Sequence, residues 1–159
     1  MDKRDLVNQL KAELEREIDV LERAARSAHE AATHEESRPE NDKDTRAVEA
    51  AYLAGAQADR ARDLERARSA LSFLPLRSFR EEDPIAAAAL IEVDLDGKRC
   101  HYFLAPQGGG LRVELEGLTI QVITPQSPMG RALLGRLVGD VVELRTEGRA
   151  REVEILAIT

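Results

Sequence analysis

Ser127-Pro128-Met129-Gly130-Arg131-Ala132-Leu133-Leu134-Gly135 spells out a short helix with both of its ends. The Ser127 hydroxyl can accept from the free N–H groups of a first turn, so it reads as the N-cap. Pro128 suits the first helical position, where no N–H is needed and φ is already helical. Met129–Leu134 forms the body, and Gly135 can take the left-handed conformation that ends a helix. Around it the pattern is of strands and turns. Upstream, Ala89–Leu95 and Lys98–Ala105 flank Asp96-Gly97, and Leu111–Leu115 and Leu118–Thr124 flank Glu116-Gly117. Downstream, Asp140–Thr146 and Arg149–Ile158 flank Gly148. Asp-Gly between alternating runs is a strong hairpin signal. One helix among about six strands predicts a small β domain over residues 85–159.

The N-terminal half is of a different kind. Nine of the 10 glycines lie after residue 90, and Gly55 alone precedes it. Leu10, Leu14, Leu21 and Ala28, with Val7 and Ile18 beside them, recur at three-, four- and seven-residue spacing. That is an apolar seam of period near 3.5, and it predicts a helix from about Arg4 to His34. A second helix is predicted from about Asp42 to Leu74, its seam running through Leu53, Leu64, Ala67, Leu71 and Leu74, with Gln57 and Arg60 as polar interruptions. Pro39 falls in the break between them, where a helix cannot continue. Two long helices with narrow seams and charged outer faces predict an antiparallel coiled-coil hairpin over residues 1–74. Pro75 to Pro84 reads as a linker. The expected class is α+β: a helical finger, then a small antiparallel β domain with one helix.

Composition narrows the function. The net charge is -7, from 23 Lys+Arg against 30 Asp+Glu, which excludes a strongly basic nucleic-acid coat. Aromatics are 3% of the chain, too few for a base-stacking platform. The longest apolar stretch, Ile85–Ile91, is far short of a membrane span. The single cysteine, Cys100, cannot form an internal disulfide, and in its strand it reads as packing. The expectation is a soluble, cytoplasmic chain.

Acidic groups concentrate at the break between the helices: Glu35, Glu36, Glu40, Asp42 and Asp44. Close carboxylates on an exposed loop can hold Mg²⁺ through oxygen ligands. The same residues also make a helix start, with Ser37 as N-cap and Glu40 at the third position of a capping box. Spacing alone favours the capping reading. His29, His34 and His101 do not form a ligand set, no Ser-His-Asp grouping appears, and Gly108-Gly109-Gly110 lacks the Lys-Ser/Thr of a phosphate loop.

Extended through Arg136-Leu137-Val138-Gly139-Asp140, the helix segment resembles the C-terminal signature of the bacterial Gre transcript-cleavage factors. Val153–Ile158 is similar to that family's closing strand. Glu40-Asn41, with Glu49 and Asp63-Leu64-Glu65 on the following helix, is similar to the family's tip and descending helix. The resemblance implies a coiled-coil finger followed by an FKBP-like domain that docks on RNA polymerase at the rim of its secondary channel. It also implies that the finger enters the channel, where tip acids support a second Mg²⁺ and a water at the polymerase active site, so that backtracked RNA is cleaved. The factor has no cofactor of its own in this picture, and the Mg²⁺ is shared with the polymerase. On that basis Glu40 is the expected tip acid and metal-facing carboxylate within the polymerase complex, with Glu36 and Asp42 beside it. Gln126, Ser127 and Pro128 are the expected partner-binding residues. A monomer is expected, touching nucleic acid only within the transcription complex and no membrane.

Two positions depart from the family pattern. Ser37 stands where the family has the first tip acid, and a hydroxyl does not replace a metal-binding carboxylate. Gln126 stands where the family often has Asp or Asn before the Ser-Pro pair. A non-cleaving Gre homologue acting through the same channel is therefore the alternative. Two rivals come from other classes. An FKBP-type prolyl isomerase needs an aromatic-lined site, but Tyr102 and Phe103 are adjacent in one strand and point to opposite faces. A coiled-coil scaffold would have to tolerate Gln57 and Arg60 on its seam.

Overall fold

A computed structural model of the chain describes residues 2–33, 45–146 and 148–159. The elements are α1 (Lys3–Thr33), α2 (Thr45–Ser72), β1 (Leu90–Leu95), β2 (Lys98–Leu104), β3 (Arg112–Leu115), β4 (Leu118–Ile123), α3 (Pro128–Leu133), β5 (Val141–Thr146) and β6 (Arg149–Ile158). Among the described residues, no helix is long and apolar enough to cross a membrane. The chain forms two compact units. One comprises Ala12–Arg66, the other the residues up to Lys11 together with Ala67–Thr159. The hairpin expected over 1–74 is thus divided, with the start of α1 and the end of α2 grouped with the sheet.

In the helical unit, Leu14 and Ile18 of α1 and Ala61 and Leu64 of α2 are buried. Leu21 is half-buried, as the seam spacing predicts. The second seam differs from its prediction above Leu64. Leu53 is 54% exposed, and Arg60 is turned outward, 3.6 Å from Glu17. Ala61 takes the buried place. A straight helix drifts against a 3.5-residue repeat, and the drift shifts the stripe by one position. Gln57 does lie at the seam, and its Oε1 is buried without a hydrogen-bond partner. Arg62–Asp59 and Arg66–Asp63 pair along α2 at three-residue spacing. Such exposed pairs add little to stability.

The sheet has the order β3-β4-β2-β1-β6-β5. Neighbouring strands are antiparallel except β2 and β4, which run parallel. β1 carries a register irregularity between Glu92 and Val93. One sheet face holds Ile91, Val93, Tyr102, Leu104, Ile123, Val153 and Ile155, packed with Met129 and Leu133 of α3 and with Phe79 and Ile85 before β1. Strand alternation puts Phe103, Ile120 and Val122 on the other face, and all three are fully buried. The helix ends of the same unit contribute the buried Leu6, Leu10, Ala67 and Leu71. They come close to the loop after β2: a Cβ on Gly108 would stand 3.7 Å from Ala67 Cβ.

Lys3 joins three separated pieces of this unit. Its ammonium donates to the carbonyls of Arg77, Ala88 (3.0 Å) and Thr159 (2.8 Å). It also sits 4.8 Å from the centre of the Phe79 ring, which Arg77 stacks at 4.2 Å. Burial, and then the neighbouring Arg77 guanidinium, push the Lys3 pKa below its ordinary value. The carbonyls and ring therefore offset only part of the cost of holding the charge there. Lys3→Met relieves the desolvated charge but leaves the part-buried Ala88 carbonyl without this donor, and should lower the free energy of unfolding at neutral pH by about 1 kcal/mol or less. The unfolded state holds the Lys3 proton more tightly than the folded state. Wild-type stability should therefore rise relative to Lys3→Met as pH climbs through the window below 10.5. Urea titrations of both proteins across that window check both outcomes.

Candidate functional site

The strongest local construction in the β domain is the corner between β4 and α3. Ser127 is extended, with φ -69° and ψ 153°, and its Oγ accepts from the N–H of Gly130 at 3.0 Å. The same hydroxyl donates to Thr124 O at 2.8 Å, and the Ser127 N–H donates to that carbonyl at 3.0 Å. One side chain thus closes the turn behind it and caps the helix ahead of it. Pro128 occupies the first helical position, as read from the sequence. The Arg131 guanidinium of α3 donates to Gln126 O and ties the turn to the helix.

Gly130 explains how the corner can be so tight. A Cβ there would fall 1.8 Å from Thr124 O, so no other residue fits without moving the backbone. The helix exit is also fixed. Gly135, at φ 77°, donates to Ile85 O at 2.8 Å, and the Ile85 N–H donates to Arg136 O at 2.8 Å. Of the expected partner-binding residues, Gln126 and Pro128 are exposed and Ser127 is half-buried. Sequence reasoning missed Leu134 and Leu137, which are 45% and 41% exposed just beyond the helix. The signal was present in Leu133-Leu134: a helix this short can bury only one of two adjacent leucines, and Leu133 is the buried one.

The other expected site is the tip. Glu36, Glu40 and Asp42 lie outside the described residues, as do Glu35, Ser37, Pro39 and Asp44. Among the described residues no group of His, Cys, Asp or Glu could hold a metal ion. Cys100 is half-buried and packs against the sheet core, and Tyr102 and Phe103 lie on opposite faces of the sheet.

Residues 114–159 match the family model described as "Transcription elongation factor, GreA/GreB, C-term". The C-terminal segment is thus similar to the C-terminal domain of GreA/GreB factors. The match takes in β4, the Ser127–Pro128 corner, α3, β5 and β6. Among solved structures, the chain is similar to GreA factor homolog 1 (Gfh1) of Thermus thermophilus. Identity is 25%, covering 96% of this chain and 94% of that one, with a TM-score of 0.37. Gfh1 of Thermus aquaticus is 26% identical over 95% of this chain and 92% of its own, with a TM-score of 0.38. A GreA/GreB factor from Nitrosomonas europaea is 18% identical over 68% of this chain and 88% of its own, with a TM-score of 0.37. No curated protein matches the chain. The likeness to GreA/GreB rests on the family match over residues 114–159.

Within residues 114–159 the corner is a stability element as well as a surface. Ser127→Ala removes the cap and one turn bond and should cost about 1 kcal/mol. Gly130→Ala should cost several times more, about 3 kcal/mol or above, because backbone must move to admit the methyl group. Chemical denaturation of the two variants should reproduce that order, and equal costs would contradict the close approach.

Proposed function

We propose that this chain is a Gre-type transcription elongation factor that binds RNA polymerase at its secondary channel and modulates elongation. The observation supporting this most directly is the coincidence of the family match over residues 114–159 with the built corner at Ser127–Pro128. In this reading Gln126 and Pro128, with the exposed Leu134 and Leu137, meet the polymerase. Ser127 positions them by closing the turn. An exposed corner with apolar side chains beside it suits a protein surface, where aliphatic contact and a few backbone groups together give affinity.

The helical hairpin then carries the tip into the channel, and Glu40 is the carboxylate proposed to act there, with Glu36 and Asp42 as its neighbours. A magnesium ion belonging to the polymerase complex would supply water activation and charge neutralisation. This chain contributes negative charge at a fixed point, and the polymerase performs the hydrolysis. The chain is thus an accessory factor.

Ser37 favours a second form of the same proposal. A hydroxyl in place of the first tip acid leaves one carboxylate of the family's tip pair, and Ser is a residue type that suits a helix N-cap equally well. A non-cleaving factor that occupies the channel and slows or redirects the polymerase accounts for that residue.

A transcript-cleavage assay on backtracked complexes separates the two forms. Wild type should cleave weakly or not at all, and Ser37→Asp should raise cleavage at least tenfold while leaving binding unchanged. Any wild-type cleavage should be lost in Glu40→Gln, which preserves the hydrogen-bonding capacity a capping box would need and removes the charge. Strong wild-type cleavage indifferent to Glu40→Gln contradicts the role given to the tip. Separately, Pro128→Ala combined with Leu137→Ala should weaken binding to core polymerase about tenfold, a loss of about 1.4 kcal/mol.

A further inference from the structure

The sheet is split at one end. Its two hairpins, β1–β2 and β3–β4, close through turns with positive φ at both central residues: 53° and 82° at Asp96 and Gly97, 53° and 79° at Glu116 and Gly117. These are the values of the tight hairpin turn that matches strand twist. The hairpins are joined only where β2 runs parallel to β4, from His101↔Ile120 to Leu104↔Ile123. Toward the turns that pairing stops while both strands continue. Lys98, Arg99 and Cys100 keep partners in β1 alone, and Leu118 and Thr119 keep partners in β3 alone. Two inner strand edges therefore face each other across a cleft of about 730 Å³, within the roughly 300–1,000 Å³ of ordinary ligand clefts.

The cleft is positively charged, in a chain whose net charge is -7. Among the described residues that line it, Lys98, Arg99 and Arg112 stand against one acid, Glu92, which Arg99 holds at 3.0 Å. Register puts Arg112 on the same sheet face as Tyr102 and Lys98, while Arg99 and His101 are on the opposite face. A strand laid between the edges would thus meet cations on both of its faces. Unpaired strand edges accept extended chains readily, with main-chain hydrogen bonds giving affinity and side chains giving selectivity.

We propose that this cleft receives an extended, acidic segment of a partner protein as an added strand between β2 and β4. The backbone edges at Lys98–Cys100 and Gly117–Thr119 hold its main chain, and Lys98, Arg99 and Arg112 select carboxylates. Clefts that merely attract charge would not distinguish a strand from any other polyanion, so the test varies main-chain donors and charge separately.

The full ¹⁵N-labelled chain is titrated with a blocked octapeptide of alternating Glu and Val. Chemical-shift changes and slowed amide exchange are expected at residues 98–100 and 117–119. The same peptide with its two central valines replaced by proline loses main-chain donors and should bind at least tenfold more weakly. A Lys-Val peptide should not bind. Arg99→Glu with Arg112→Glu should reduce affinity at least tenfold, and Arg99→Lys with Arg112→Lys should largely retain it, which separates charge from misfolding. Equal binding of the proline peptide or the Lys-Val peptide overturns the proposal. So does a single-stranded RNA of equal charge that protects the same amides, or the absence of any change at those amides.

Discussion

The fold depends on a strand that is buried on both sides. Tyr102 and Phe103 are neighbours in β2, point to opposite faces of the sheet, and are both removed from water. A sheet of this size cannot bury two faces by itself. On the Tyr102 side the cover comes from α3 and the chain before β1, through Met129, Leu133, Ile85 and Phe79. On the Phe103 side the same compact unit has the ends of the two long helices to offer, with Leu6, Leu10, Ala67 and Leu71. The consequence is functional as well as structural: the base of the helical hairpin belongs physically to the unit that carries the proposed docking corner. Lys3 makes that union explicit by bonding one helix start to the backbone oxygens of Arg77, Ala88 and Thr159.

Local chemistry was legible in the sequence, and the reasons differ by element. Ser127, Pro128 and Gly135 fix a helix start and stop through their own backbone preferences, so the structure reproduces α3 to within a residue. Asp96-Gly97 and Glu116-Gly117 fix their turns in the same way, and the structure gives all four residues positive φ. The seam of α1 was legible because leucine and isoleucine repeat along it without interruption. The seam of α2 was not, above Leu64, because its inward positions there are the buried Ala61 and the half-buried Gln57. Small side chains give a pattern too weak to set phase, and the reading fell on Leu53 and Arg60 in place of Ala61.

Nonlocal features left little trace. Nothing in Lys98–Ala105 or Leu118–Thr124 announces that β2 and β4 pair in parallel, since the intervening hairpin brings β4 back beside β2 from a distance. Lys3 reads as one more charge on a charged helix, and only three dimensions reveal its three acceptors. Gly130 lies mid-helix, where glycine is usually a weakness, and its necessity appears only when Thr124 O is seen against the place of its missing Cβ. The corner site was therefore readable in kind but not in its constraint. The tip acids at Glu36, Glu40 and Asp42 lie outside the described residues, and their proposed role stands on chemistry and family resemblance.

Hydrogen exchange of the full chain, alone and bound to core RNA polymerase, tests the account most directly. Docking through the corner predicts protection at the amides of Gln126 to Leu137. Channel entry predicts a second protected segment around residues 34–44. Protection of both, with the Lys3 end of α1 unchanged, is the expected result. Binding that leaves Gln126 to Leu137 unprotected contradicts the docking assignment and with it the proposal that this chain acts as a Gre-type factor.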